Sequence, residues 1–317
     1  MHPDVFELVP PHLVGSNPPL GIAIALLGGL FLALGAQFQH RGVTVVEERF
    51  GSGHKAGLNL GQILRLLKSP WWVLGTLLLG LAILCQLTSL GFAPIIVVQP
   101  LGVVALVITS VVNARVSHSP LTRQAIRAIT FCVAGIAIFV TVAAFVAQET
   151  PINTTQLVII MVIMGVVILL LALAFAFFRK RFTAIFYIIS AGVLYGFVAT
   201  LAKVVINRVI TGNFEGLTVF AIVALLAAVI VGAYFVQTAY SVGSPDLVIA
   251  GLTVVDPLIA VAIGIIVLRE AADAPLWVLP VWLVAAGIAV YGVFQLAKTR
   301  AAQLAATQAE AAKNGHS

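Results

Sequence analysis

The chain has 317 residues, of which 61% are hydrophobic and only 9% charged, and its mean hydropathy is +1.14. Soluble domains carry about 25% charged residues, so a water-facing surface cannot be coated and a soluble catalytic domain is excluded. The net charge of +6 does not point to nucleic acid, because the basic residues fill short gaps between apolar runs, where they act as topology determinants.

The apolar runs are about 20 residues long and show no period-2 alternation, which selects membrane-spanning helices over a barrel. Residues 1–19 are rich in proline and polar side chains, lack the basic start of a signal peptide, and are expected outside the cytoplasm. Nine spans follow, at 20–40, 71–91, 94–115, 124–147, 156–178, 183–209, 215–240, 245–269 and 275–297. Between the first two, Leu60, Ile63, Leu64 and Leu67 share one helical face, so 55–69 reads as an amphipathic interfacial helix leading into Trp71 and Trp72. The tail 298–317 is polar and alanine-rich, a frayed helix or a disordered segment. Cys85 and Cys132 lie in separate spans without metal-ligand spacing.

Orientation follows from lysine and arginine. Fourteen of the 17 fall in the gap 41–70, the gaps after spans three and five, and the tail, all on one side of a nine-span chain. The positive-inside rule then places the N-terminus outside and the C-terminus in the cytoplasm, with the plasma (inner) membrane as the expected location.

An internal repeat is visible. QLTSLGFAP from Gln86 matches QTAYSVGSP from Gln237, each placing a glutamine eight residues before a span-opening proline, Pro94 or Pro245. Each following span holds another proline, Pro100 or Pro257. GLFLALGAQFQH from Gly29 likewise matches GVLYGFVATLAK from Gly192, setting His40 against Lys203. The expected fold is therefore an all-α polytopic membrane protein: a first repeat over 20–147, a central connecting helix at 156–178, and a second, inverted repeat over 183–297. Inverted repeats are a plan of secondary transporters, with the binding site near the midplane between the halves. Pro100 and Pro257 are expected to break their helices and turn free carbonyls toward a cavity.

The stretch from Trp71 to Val116, with Phe92-Ala93-Pro94 and Pro100-Leu101-Gly102, resembles the drug/metabolite transporter superfamily of EamA type. The second copy, AYSVGSPDLVIAGLTVVDPLIAVAIGIIVLREA, ends in the Arg269-Glu270 pair typical of that pattern. Tryptophan-led span two, those two triplets and Gln37-Phe38-Gln39-His40-Arg41-Gly42 look most like the NIPA branch of magnesium-transporter-like proteins. The first copy departs from the pattern, ending in Asn113-Ala114-Arg115 where an acidic residue is common. The resemblance implies alternating access and a substrate that is either a small organic metabolite or amphiphile, or a magnesium ion.

A charge at the centre of a span costs about 2.5–3.5 kcal/mol on insertion scales, so each one is a functional candidate. Asp256 is the carboxylate well inside a span, a candidate ligand for a cation (magnesium included) or a proton, or a structural partner of Lys203. Lys203 would otherwise attract an anionic group or snorkel outward. Gln37, Gln86, Gln99, Tyr195, Thr200, Gln237 and Tyr240 are hydrogen-bonding candidates for a cavity, with helix-to-helix bonding as the alternative. No nucleophile–base arrangement and no phosphate-binding loop appears, so neither an enzyme nor a cofactor is expected. The partners read from the sequence are the lipid bilayer, a small molecule or ion, and no nucleic acid, with a homodimer left open. The reading from another class is a non-transporting membrane scaffold for an envelope complex.

Overall fold

The computed structural model describes residues 17–50, 66–116, 122–148, 152–178, 183–213, 215–242 and 245–314. Regular structure among them is entirely helical: α1 (Pro18–Phe50), α2 (Pro70–Phe92), α3 (Ile95–Val116), α4 (Arg123–Val146), α5 (Thr154–Phe178), α6 (Ala184–Ile210), α7 (Gly216–Val242), α8 (Pro245–Ile266) and α9 (Val278–Asn314). Among the described residues, nine helices are long and apolar enough to cross a membrane. Leu169 and Leu170 on α5 are each 58% exposed, an arrangement tolerable in lipid and costly in water. Helix starts follow local chemistry. Proline opens α1, α2 and α8 where no intrahelical N–H is needed. Thr122 caps α4, its hydroxyl accepting the Ala125 amide at 3.1 Å.

The packing repeats. In the first half α1 lies on α2 and α3, and α3 on α4; in the second α6 lies on α7 and α8, and α8 on α9. The halves meet mainly where α3 packs on α8 and α4 on α9, the pairings an internal twofold would map onto themselves, and less extensively where α2 packs on α6. Helix α5 stands outside this scheme, against α6 and α7. A β-carbon on Gly29 would touch Ala105, and one on Gly192 would touch Val255 and come within 3.3 Å of the Asp256 amide. Ala105 and Asp256 are separated by the same offset as Pro94 and Pro245, so contacts and sequence agree on the register.

Close backbone approach holds the helix pairs together, as expected where lipid is as apolar as leucine and association rests on contact. Gly21, Gly28, Gly35 and Gly42 recur every seventh residue along α1 and meet Ala93, Cys85, Gly75 and Trp72 of the antiparallel α2 region. In the α4–α9 pair, a β-carbon on Gly135 would lie 2.5 Å from the Ala289 amide nitrogen, and one on Gly292 2.5 Å from that of Cys132.

Two expectations about the prolines need correction. Helices α3 and α8 run unbroken through Pro100 and Pro257, so each proline removes one ladder bond without ending its helix. Under the register above, Pro100 matches Gly251 and Pro257 matches Leu106, so the two prolines are not equivalent positions. Helix α9 continues to Asn314, because the alanine-rich tail is a strong helix former once a span has nucleated it. Of the amphipathic segment at 55–69, residues 55–65 lie outside the described residues, as do residues 1–16 of the N-terminal segment.

Candidate functional site

Where the two halves meet, α3, α4, α8 and α9 enclose a cleft lined by Pro100 and Val103 of α3, Ile136 and Phe139 of α4, Thr253, Val254, Pro257, Leu258 and Val261 of α8, and Ala286, Ala289, Val290 and Val293 of α9. Thr253 is its polar lining residue, and its hydroxyl already donates to the Ile249 carbonyl at 2.7 Å. Pro257 offers no N–H to the Thr253 carbonyl and Pro100 none to that of Ile96, so each helix has a main-chain acceptor relieved of its ladder donor. Phe139 forms one wall and stacks on Trp282 at 5.4 Å, and the buried indole N–H behind it has no partner among the described residues. A small apolar body fits this lining, which offers one polar side chain, that of Thr253.

Asp256 follows Thr253 by three residues but does not line the cleft. It faces α6, where Gly192 leaves room for the α8 backbone and Tyr195 lies within electrostatic reach. The Tyr195 ring in turn packs over Gly232 of α7. The Asp256 Oδ1 atom is shut off from water and has no hydrogen-bond partner among the described residues. A buried acceptor without a partner costs free energy, so Asp256 is held where a proton or cation would relieve it.

Lys203 makes an ion pair with Glu270, a residue outside the candidates the sequence suggests; pairing with Asp256 is one of the alternatives the sequence leaves open for that lysine. Lys203 Nζ lies 3.0 Å from Glu270 Oε1 and donates to the Ala93 carbonyl at 3.0 Å. The Glu270 carboxylate also accepts the Ile95 and Ile96 amides at 2.9 and 3.0 Å, capping the start of α3. Helix α8 ends at Ile266, three residues short of the expected span, and Arg269 adopts a left-handed φ of 57°. That turn leaves Arg269 exposed and sends Glu270 into the bundle. A carboxylate directly after an apolar run, opposite a span lysine, is the sign of it that the sequence offers. The backbone turn that decides its direction has no glycine to announce it.

The remaining candidates disperse. Gln99 and Thr200 are buried, the latter donating to the Gly196 carbonyl at 2.9 Å. Gln37 and Gln86 are half-buried on α1 and α2. Gln237 and Tyr240 are exposed on α7, which contributes nothing to the cleft. His40, the match of Lys203, is exposed at the end of the first span. Pro94 is buried beside the Glu270 cap, and Pro245 opens α8. Arg208, in the sequence no more than a basic residue on the minority side, is buried and donates to Thr218 and Thr154 at 2.9 and 3.2 Å, tying together the adjacent ends of α5, α6 and α7. Among the described residues no group of three or more histidine, cysteine, aspartate or glutamate side chains is placed to hold a metal ion.

Among known proteins, no family model matches the chain, and no solved structure matches it. A Corynebacterium glutamicum protein described as uncharacterized is 25% identical over 256 residues, which span 79% of this chain and 85% of the relative.

Proposed function

We propose that the protein is a secondary transporter of the drug/metabolite type, moving a small organic molecule with an apolar body by alternating access between its two halves. The observation behind this reading is the apolar cleft at the junction of two similarly packed halves, bounded by a proline from each. Midplane sites between inverted halves are where such carriers bind. Rocking about the α3–α8 and α4–α9 junctions would expose the cleft to each side in turn. Asp256, one helix face away, supplies a charge-bearing group whose occupancy differs between the two exposures.

Magnesium is the second reading, favoured by the unpartnered Asp256 oxygen. It asks much of one carboxylate, since Mg²⁺ is held through carboxylates and retained waters and the Glu270 carboxylate is already engaged with Lys203 and two amides.

Flux in proteoliposomes tests both. Vesicles carrying an internal Mg²⁺ indicator are compared with vesicles offered radiolabelled aromatic and short acyl compounds, using the wild type, Asp256→Asn and the cleft-filling Ala286→Phe. The organic reading expects saturable uptake that Ala286→Phe abolishes and no Mg²⁺ signal. A Mg²⁺ influx lost in Asp256→Asn would replace it with the ion reading. Monodisperse, reconstituted protein that moves none of these compounds would leave the scaffold reading in its place.

A further inference from the structure

One end of the bundle, the outer one by charge asymmetry, is closed around a single carboxylate. Glu270 is 2% exposed. Its side chain binds the first two amides of α3 and the ammonium of Lys203 near the end of α6. Its carbonyl accepts the Gln148 amide, just beyond α4, at 2.7 Å, and its own N–H donates to the Gly264 carbonyl of α8 at 3.0 Å. Lys203 adds the bond to Ala93, at the corner between α2 and α3. The first half contributes α3 and the α4 exit, the second α6 and α8, so the junction of the halves is tied here through one residue.

We propose that Glu270, Lys203 and the α3 amino-terminal amides form the outer gate of the transport cycle: joined, they shut the cleft off from that side, and parted, they open it. This inference rests on the transporter reading above. The choice of groups favours a gate over a fixed brace. A permanent seal between helices is made best by apolar packing, because a buried ion pair gives back much of its attraction in desolvation. Charged groups at the edge of the bundle regain water when separated, so the parted state is tolerated as an apolar seal's would not be. Glu270 also sits past the end of α8, on the turn at Arg269, and can swing without unwinding a helix. Gly264 presents no side chain where Ile95 packs against it, and this brings the α8 end and the α3 start together. At the position matched to Lys203 in the first half, His40 is exposed, so the tie belongs to one end of the bundle among the described residues.

The test reads accessibility and needs no known substrate. Thr253→Cys is placed in the cleft of a Cys85→Ala, Cys132→Ala protein in lipid vesicles, and labelling by an impermeant maleimide is timed from each side. Glu270→Gln and Lys203→Met are each expected to speed labelling from the gate side at least tenfold, with little change from the other side. Unchanged gate-side rates in both variants, each monodisperse, would overturn the proposal. A second protein joins Ile95→Cys to Gly264→Cys by a disulfide, which keeps the native charges. Gate-side labelling of the cleft cysteine is expected to fall below the unbridged rate and to recover after reduction and removal of the reductant. A complete bridge that leaves the rate unchanged would also overturn it. If these variants respond while no compound is transported, the gate stands and the transport reading falls.

Discussion

At the residue scale, the two buried carboxylates make opposite predictions. Glu270 is fully engaged, so removing its carboxylate takes the ionic partner from Lys203, which keeps the Ala93 carbonyl, and the acceptor from two amides. Breaking one partner of a buried ion pair costs about 3–5 kcal/mol. Glu270→Ala and Lys203→Met should therefore each lower the unfolding midpoint in detergent markedly, and the double variant should lose less than the two losses added together. Strict additivity would mean that the two side chains are not coupled. Asp256 holds an acceptor without a partner, so Asp256→Asn removes a buried charge whose loss costs little. Its midpoint should match or exceed that of the wild type while any flux disappears; a loss of several degrees would show that Asp256 is a structural residue. The two acids differ in how far the sequence reveals them. Asp256 is conspicuous because it interrupts a span. Glu270 lies just beyond one, and its burial depends on a left-handed turn at an arginine, which local propensity does not favour.

At the element scale, the helices were legible because hydropathy and length suffice to define a span, and of the nine long apolar helices among the described residues eight begin within about two residues of the expected positions. The repeat was legible from Gly29, Gly192, Pro94 and Pro245, since small residues and prolines mark backbone approach and helix starts whatever surrounds them. The cleft was legible only at Pro100 and Pro257, because most of the rest of its lining is valine, alanine, isoleucine and leucine, indistinguishable in sequence from residues facing lipid. The polar residues singled out as cavity candidates proved to be spread over several faces. Helix pairing gives a sharper test. Gly135 abuts the α9 backbone itself: a β-carbon there would stand 2.5 Å from the Ala289 nitrogen and 2.6 Å from the Ala285 oxygen. Main chain cannot rotate aside, so Gly135→Val should cost at least the 1–3 kcal/mol typical of overpacking and reduce the yield of folded protein. Gly80 on α2 has nothing within 4 Å of the corresponding position. Gly80→Ala should be neutral or raise the midpoint, by up to about 1 kcal/mol from helix propensity. Equal behaviour of the two variants in a thermal melt would remove the contact-based account of the α4–α9 pairing.

At the scale of the whole molecule, parity links topology to mechanism. One crossing for each of the nine long apolar helices among the described residues would put the two ends of the chain on opposite sides of the membrane, and an offset of five crossings would invert the second half relative to the first. The same count places the start of α3, the end of α6 and the end of α8 at one end of the bundle, where Glu270 joins them. Charge then gives that end a side. Arg41, Arg115, Arg123 and Lys298 all lie at the opposite end, which the positive-inside rule assigns to the cytoplasm. A fluorescent protein that matures only in the cytoplasm, fused after Ser317, should therefore be bright, and a fusion ahead of Met1 should be dark. Single cysteines at Asn213 and Glu215, in the turn between α6 and α7, should react with an impermeant maleimide on intact cells, whereas one at Thr122 should react only after the membrane is opened. Both ends bright would require an even number of spans and would dissolve the inversion of the halves. A reversed pattern would keep the inversion but turn the Glu270 gate toward the cytoplasm, and the side from which labelling of the cleft is controlled would reverse with it.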